Sequence, residues 1–150
     1  MSISGHRHQR KFRSVGRGLY TATELMRLTR LTRTEVSTLE KKKLLTPLRS
    51  SEAAIGKPVR FYSAAEVLKA VIISELRQKG FSPRQVEAVA RELEGRGLRL
   101  QNAEPYLLTD GYSVYFARTD HDVVDILKHQ GQMLLLVPVQ ERAKSLKLVA

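Results

Sequence analysis

The sequence contains no cysteine and no tryptophan, and aromatic residues make up only 6% of its 150 positions. Without cysteine the chain has no disulfide framework, no thiolate nucleophile and no cysteine-based zinc or iron–sulfur site. No run approaches the roughly 20 apolar residues that a bilayer-spanning helix needs, and the polar start lacks the apolar stretch of a secretory signal. We therefore expect a cytoplasmic protein without a membrane partner.

Catalytic and metal-binding patterns are also missing from the sequence. Neither a nucleophile-and-base motif nor a glycine-rich phosphate loop is present, so we predict no enzymatic activity and no cofactor. Neither His6 with His8 nor His121 with His129 has a third ligand at a suitable spacing, so no metal site is predicted. The acidic cluster led by Asp120 is interpreted as a helix cap rather than a calcium or catalytic site.

The positive charge of the chain lies mainly at its N-terminal end. Residues 1–50 hold 12 Lys and Arg against 3 Asp and Glu, residues 51–100 hold 9 against 6, and residues 101–150 hold 5 against 6. Lys and Arg that neutralise phosphates release condensed counterions, so a basic half joined to a neutral half favours nucleic-acid binding. The alternative is a solvated basic surface. Residues 1–18 are predicted to be a flexible basic arm.

Residues 20–95 contain four helix-capping patterns. Each pattern is a Ser or Thr followed three residues later by Glu or Gln. The pairs are Thr21 and Glu24, Thr32 and Glu35, Ser63 and Glu66, and Ser82 and Gln85. With the apolar spacing that follows each one, they predict helices over 22–29, 33–42, 64–79 and 83–95. Pro47, Gly56 and Pro58 exclude a long helix between the second and third, where a β-prone stretch predicts a wing-like hairpin.

The first two predicted helices form a helix-turn-helix, because their caps lie only 11 residues apart. The second helix is predicted to read DNA in the major groove, with Val36 and Leu39 turned to the core. Its opposite face then carries Arg33, Thr34, Ser37, Thr38 and Lys41. Small hydroxyl side chains allow the backbone to approach the bases closely, although they would also suit a face that merely meets solvent.

Three motifs in this region resemble the winged helix-turn-helix domain of the MerR family. They are YTATEL at 20–25, TLEKKKLLTP at 38–47 and RFYS at 60–63, and GFSPRQV at 80–86 resembles the link that follows. The resemblance implies that Arg60 and Tyr62 on the wing hold phosphates and that Tyr20 and Thr21 lie near the DNA backbone. The chain departs from the family where Arg30 replaces the usual Gly of the turn. Arg30 would be strained if it took the left-handed conformation that Gly tolerates.

Beyond residue 97 the pattern changes to β-prone runs. Asp110-Gly111 predicts a hairpin, Asp120 is expected to cap a helix, and MLLLVPV is a candidate buried strand. The predicted fold class is therefore α+β, a winged helix-turn-helix of four helices followed by a small hairpin–helix–strand unit. The predicted domains are 19–97 for DNA binding and 98–141 for dimerisation or partner binding, with a tail at 142–150.

These features predict a sequence-specific transcriptional regulator that binds double-stranded DNA in the bacterial nucleoid. A homodimer is expected, since one winged helix-turn-helix covers a half-site. The dimer or partner surface is predicted to include Tyr112, Tyr115, Phe116, Leu134 and Leu136. Two alternatives are an antitoxin-like autorepressor, whose C-terminal unit binds a toxin, and an RNA-binding or nucleoid-coating protein without sequence preference.

Overall fold

The computed structural model describes residues 18–50, 59–96, 106–130 and 134–146. Within these ranges the chain is a mixture of helices and two antiparallel sheets, which confirms the predicted α+β class. The helices are α1 Ala22–Thr29, α2 Arg33–Lys41, α3 Ala64–Gln78, α4 Pro83–Arg96, α5 Asp120–Gln130 and α6 Val139–Ser145. The strands are β1 Leu19–Thr21, β2 Leu48–Ser50, β3 Val59–Ser63, β4 Tyr106–Thr109, β5 Val114–Ala117 and β6 Leu135–Pro138. Except for Gly18, the predicted basic arm lies outside the described residues.

The four predicted helix starts are confirmed by their caps. Reciprocal capping boxes cap the start of α1 at Thr21, of α2 at Thr32 and of α4 at Ser82. At α3, the hydroxyl of Ser63 accepts the backbone N–H of Glu66 at 3.2 Å. The Glu66 carboxylate instead accepts the backbone N–H of Thr46 at 2.7 Å. This bond ties the segment that follows α2 to the start of α3.

Helix α3 is the centre of the molecule, and its buried residues lie on every side of the helix. Helices α1, α4 and α6 and the first sheet all pack against it, and a helix with no polar face is the expected core of such an arrangement. Its buried polar residues are paired. The Lys69 ammonium contacts Glu66 at 2.9 Å and also Glu94, and the Ser74 hydroxyl donates to the Thr29 carbonyl at 2.6 Å.

The first sheet, in the order β1-β3-β2, forms the predicted wing. Strands β2 and β3 are antiparallel, with Leu48 opposite Phe61, which confirms the hairpin. Residues 51–58, which separate the two strands in the sequence, lie outside the described residues. Strand β1 was not predicted. It pairs Tyr20 with Tyr62 and so joins the start of the domain directly to the wing.

The second sheet, in the order β5-β4-β6, has two different faces. Leu107, Val114 and Val137 on one face belong to the same apolar core as the helices. Because side chains alternate along strands, Leu108 and its cross-strand neighbours Tyr115 and Leu136 lie on the other face. Helix α5 packs against β5, and α6 packs against both β4 and α3. The second sheet therefore helps to complete the core that the helices form.

Two predictions about this C-terminal part need correction. Helix α5 is capped by Thr119 and not by Asp120, because the Asp122 N–H donates to the Thr119 hydroxyl at 3.1 Å and the Thr119 N–H donates back to Asp122 at 3.3 Å. The first part of the predicted tail is helical. Helix α6 is short and has no side-chain cap, so local signals were weak, and packing against α3 holds it in place.

The hairpin predicted at Asp110-Gly111 is confirmed, with a loop longer than a two-residue turn. Thr109 pairs with Val114 across the strands, so four residues form the connection. One oxygen of the Asp110 carboxylate accepts the backbone N–H groups of Tyr112 and Ser113, each at 2.8 Å. The Ser113 N–H is the largest cause of the lowered pKa of Asp110.

No helix within the described ranges combines the length and the apolar character that crossing a bilayer requires. In the same ranges, no three His, Asp or Glu side chains lie close enough together to hold a metal ion.

Candidate nucleic-acid interface

Helix α2 has the two faces that its sequence predicts. Val36 and Leu39 are 3% and 7% exposed and belong to the core. The other side of the helix is the recognition face, defined as Arg33, Thr34, Ser37, Thr38 and Lys41. Ser37 is half-buried and the other four side chains are exposed. This face is polar, positively charged at both ends and lined in the middle by small hydroxyl residues.

One hydroxyl on the recognition face already donates a hydrogen bond within the helix. The Thr38 hydroxyl donates to the backbone carbonyl of Thr34 at 2.9 Å, a bond that Thr commonly makes within a helix. With its proton engaged, the Thr38 oxygen is left to accept hydrogen bonds, and the methyl group is left for apolar contact. The side chain therefore presents an acceptor and a methyl group to an approaching ligand.

The first turn of α2 is fixed through Glu35. The backbone N–H of Thr32 donates to the Glu35 carboxylate at 2.9 Å, and Arg77 at the end of α3 forms an ion pair with it. The Thr32 N–H is the largest cause of the lowered pKa of Glu35; Arg77 acts in the same direction and partial burial opposes both. The start of α2 is thus tied to α3, the central helix.

The last turn of α2 is fixed through Glu40, which contacts the wing. One carboxylate oxygen accepts from the Arg60 guanidinium, and the other accepts from the Tyr62 hydroxyl. The Tyr62 side chain is fully buried. Since a phosphate contact needs an accessible hydroxyl, the structure gives Tyr62 a supporting position rather than the surface position implied by the resemblance. Arg60 differs, because 35% of its side chain is exposed.

The turn before α2 is held by buried hydrogen bonds around Thr29. The Thr29 hydroxyl donates to the Leu25 carbonyl at 2.7 Å and accepts the Leu31 N–H at 3.2 Å, while the Thr29 carbonyl accepts from Ser74. Between them Arg30 has a φ of 61° and a ψ of 16°, the left-handed conformation. The strain anticipated for an arginine at this position is therefore present.

The residues that form α1, the turn, α2 and the wing match the model of a known protein family. The profile described as MerR HTH family regulatory protein matches residues 20–93. Residues 20–93 are a MerR-family helix-turn-helix domain. At the level of this family, the protein is a DNA-binding transcription regulator. No curated protein matches the chain.

The predicted contacts at the start of the MerR-family domain lie beside the wing. Thr21 stands opposite Phe61 in the sheet, and its hydroxyl accepts the Glu24 N–H at 3.1 Å as the cap of α1. Tyr20 is partly buried and packs against the core. The structure thus brings β1 next to the strand that carries Arg60, while both predicted side chains also have structural roles.

Two basic residues that flank the recognition helix share an unusual backbone conformation. Arg30 lies before α2 and Lys43 after it, both are exposed, and their φ values are 61° and 60°. Sequence reasoning considered Arg30 only as a turn residue. The sequence signal for this site was a basic residue, Arg30, directly after the predicted end of α1, at a position where glycine is common. The MerR-family domain therefore carries positive charge at both ends of its recognition helix.

The predicted dimer or partner residues do not share one surface. Tyr112 is 78% exposed at the hairpin loop, and Leu136 is 43% exposed on the second sheet. Tyr115 and Leu134 are half-buried. Phe116 is on the other side of the sheet from Leu136 and packs against the core. Phe116 therefore contributes to the common core, and its role in an interface stays a prediction.

Proposed function

We propose that the protein is a sequence-specific transcription regulator that binds double-stranded DNA as a homodimer, with α2 in the major groove and the wing on the phosphates. The observation that carries this proposal is the recognition face on a helix fixed at both ends. Glu35 links its first turn to α3, and Glu40 links its last turn to the wing. Such rigid support is what a base-reading helix needs, since base contacts depend on position to a fraction of an ångström.

The recognition face suits close reading of base edges. Thr34 and Ser37 are short, so the α2 backbone can lie near the floor of the groove, where hydroxyls donate or accept. Thr38 acts as an acceptor, because its proton is engaged by Thr34. Its natural partners are the amino groups of adenine or cytosine, and its methyl group matches the thymine methyl. Arg33 and Lys41 supply positive charge at the two ends.

The wing supplies phosphate contacts that carry no sequence information. Arg60 is partly exposed, and Glu40 orients its guanidinium. A guanidinium has five N–H donors, so a phosphate can be bound while one donor remains on Glu40. Tyr62 acts indirectly by holding the other oxygen of Glu40. Tyr20 and Thr21, on the neighbouring strand, extend the same edge towards the backbone.

A homodimer follows from the size of one domain. A single winged helix-turn-helix reads one half-site, and two copies related by a two-fold axis read an inverted repeat. The uneven charge supports this arrangement. The basic N-terminal third can face the DNA phosphates, while the C-terminal third, with 5 basic and 6 acidic residues, can contact the second copy.

Binding measured over a range of salt concentrations tests this assignment. Because Tyr62 still donates to Glu40 in Arg60→Ala and keeps α2 on the wing, this variant should weaken binding to all sequences alike. It should also lower the slope of log affinity against log salt by about 0.9, the value for one lost phosphate contact. Thr34→Ala and Ser37→Ala should instead change the order of preferred sequences. Arg118→Ala, which removes an exposed charge beside the second sheet, is the matched control. An Arg60→Ala protein with unchanged affinity and slope would show that the wing does not bind phosphates.

A further inference from the structure

A cleft of about 200 Å³ lies between helix α2 and the start of α4. Its first wall carries three α2 side chains, Thr34, Thr38 and Lys42, which follow one another at spacings of four residues and therefore share one side of the helix. Pro83 and Val86 of α4 lie on the opposite wall. We call this space the α2–α4 cleft.

The floor of the α2–α4 cleft is apolar. Leu39, Leu44 and Val86 line it, are at most 7% exposed and belong to the core. Half-buried Phe81 packs beside them. An apolar cavity of roughly 150 Å³ is enough to bind benzene in other proteins, so this cleft has room for a substituted aromatic ring. Its floor suits the body of a small organic molecule rather than an inorganic ion.

An ion pair lies at each end of the α2–α4 cleft, and the two pairs differ in balance. At one end Glu35 is paired with Arg77, one acid with one base. At the other end Lys42 lies 3.5 Å from Glu87, whose second oxygen accepts from Arg91 at 2.7 Å. The Arg91 hydrogen bond is the largest cause of the lowered pKa of Glu87, and Lys42 acts less strongly in the same direction. Glu87 thus serves two bases, and the charge of Lys42 is only partly balanced.

The two walls are fixed by contacts within the protein. The Glu35–Arg77 pair ties α2 to α3, and the capping box of Ser82 and Gln85 sets the first turn of α4. Ligand sites are usually formed in advance in this way, because walls that are already ordered cost little further entropy on binding.

We propose that the α2–α4 cleft binds a small aromatic carboxylate, with its ring on the apolar floor and its carboxylate at Lys42, and that this binding lowers the affinity for DNA. The charge favours an anion, because three basic side chains and two acidic ones meet here when Arg91 is counted. The Thr38 oxygen can only accept hydrogen bonds, so a carboxylate is directed away from the middle of the wall and towards Lys42. The effect on DNA rests on the proposed function of the recognition face.

A ligand in the α2–α4 cleft competes with DNA because the two share residues. Thr34 and Thr38 belong both to the recognition face and to the wall of the cleft. A bound ring covers one side of these side chains, and a carboxylate beside Lys42 offsets a positive charge at the end of α2, where phosphates are attracted. The ligand and the DNA therefore weaken each other, and thermodynamic linkage requires the factor to be the same in both directions.

Chemical-shift titration of the full-length protein with benzoate, benzamide and benzamidine tests the site. The three probes are nearly equal in size and shape and are an anion, a neutral molecule and a cation. Benzoate should shift the backbone amide signals of Thr38 and Val86. It should also bind about fivefold more tightly than benzamide, the upper value for a partly exposed ion pair. Benzamidine should bind most weakly.

Substitution of Lys42 separates the charge from the apolar floor. Lys42→Met keeps the length of the side chain, so it should weaken benzoate about fivefold and leave benzamide unchanged. Lys79→Met removes an exposed base after α3 that does not line the cleft. It is the matched control and should change neither affinity. Val86→Phe fills the floor and should abolish binding of both probes, with circular dichroism showing whether its helices are kept.

The affinity for a duplex with a single half-site is then measured at saturating benzoate. The same concentration of acetate matches the ionic strength without supplying a ring, which matters because binding to DNA depends on salt. Benzoate should lower the affinity at least about fivefold more than acetate does, the low end of typical coupling between two sites. Lys42→Met at the same benzoate concentration should show a smaller decrease.

The outcomes separate this inference from the function it rests on. Shifts that lie away from the cleft, or equal affinities for benzoate and benzamidine, would overturn the site. Binding in the cleft with the same DNA affinity in benzoate and in acetate would overturn the effect on DNA. Sequence preference is measured on the protein without any probe, so its absence would contradict the proposed function and leave the ligand site as a separate result.

Discussion

The left-handed turn before the recognition helix gives a sharp prediction about stability. Arg30 has a φ of 61°, and a side chain with a Cβ in this region costs roughly 1–2 kcal/mol that glycine avoids. Glycine in turn gains freedom in the unfolded chain, which costs about 0.4–1 kcal/mol. Arg30→Gly should therefore raise the free energy of unfolding by about 0.5–1 kcal/mol. Arg30→Ala keeps the Cβ and should change it little.

Urea denaturation followed by circular dichroism measures this difference, and for a chain of this size about 1 kcal/mol also raises the melting temperature by roughly 2–4 °C. Lys79→Gly is the matched control, because Lys79 is an exposed basic residue after a helix with an ordinary φ of −84°. It should lose stability, since only the unfolded-state cost applies. Equal losses in Arg30→Gly and Lys79→Gly would refute the reasoning from backbone strain.

Three further predictions follow from other contacts. The pKa of Glu35 is lower in the folded protein than in the unfolded chain. Its contribution to stability is therefore present above the unfolded value of about 4.3 and is lost as pH falls through the folded value. Acid unfolding of Glu35→Gln should show a shallower pH dependence than that of the wild-type protein, and an unchanged profile would contradict this. Asp110→Ala removes the acceptor of two N–H groups in the hairpin loop and should cost about 1 kcal/mol in urea denaturation, whereas Asp110→Asn should retain most of it; equal losses would be contrary to this reasoning. The Arg142 guanidinium donates to both oxygens of Glu75, at 2.8 and 2.9 Å. Glu75→Ala should therefore speed amide hydrogen exchange in α6 while leaving α1 protected. Unaltered exchange would show that packing alone holds α6.

The helix-turn-helix could be predicted from the sequence because its signals are local. Capping boxes such as those at Thr32 and Ser82 need only residues three apart, and they satisfy backbone donors at the helix start itself. The apolar spacing of Val36 and Leu39 then fixes which face of α2 is buried. Helix boundaries and the exposed recognition face were thus within reach of local reasoning.

The role of Tyr62 could not be predicted in the same way. Its hydroxyl bonds to Glu40, which lies 22 residues earlier in the chain, and no local pattern specifies that pairing. Ser74 reaches Thr29 across 45 residues, and Arg142 reaches Glu75 across 67. These long-range contacts hold the recognition helix and α6, and they could be identified only from the structure.

The C-terminal part shows the limits of short signals. Thr119 and Asp122 form the cap of α5, yet the acidic run beginning at Asp120 offered a competing local interpretation. Helix α6 begins after Pro138 without a side-chain cap. Short helices without caps depend on tertiary packing more than on propensity. Helix α6 is therefore held by its packing against α3 and β4 together with the Arg142–Glu75 ion pair.

Selection of bound duplexes from a random DNA pool, at near-physiological salt and with the full-length protein, tests the central claim most directly. The account predicts one enriched inverted repeat for the wild-type protein, altered bases within each half-site for Thr34→Ala and Ser37→Ala, and an unchanged motif for Arg118→Ala. Tight, salt-sensitive binding with no enriched sequence would contradict it, and would make the hydroxyl residues of α2 a solvent-facing surface on a protein that coats nucleic acid.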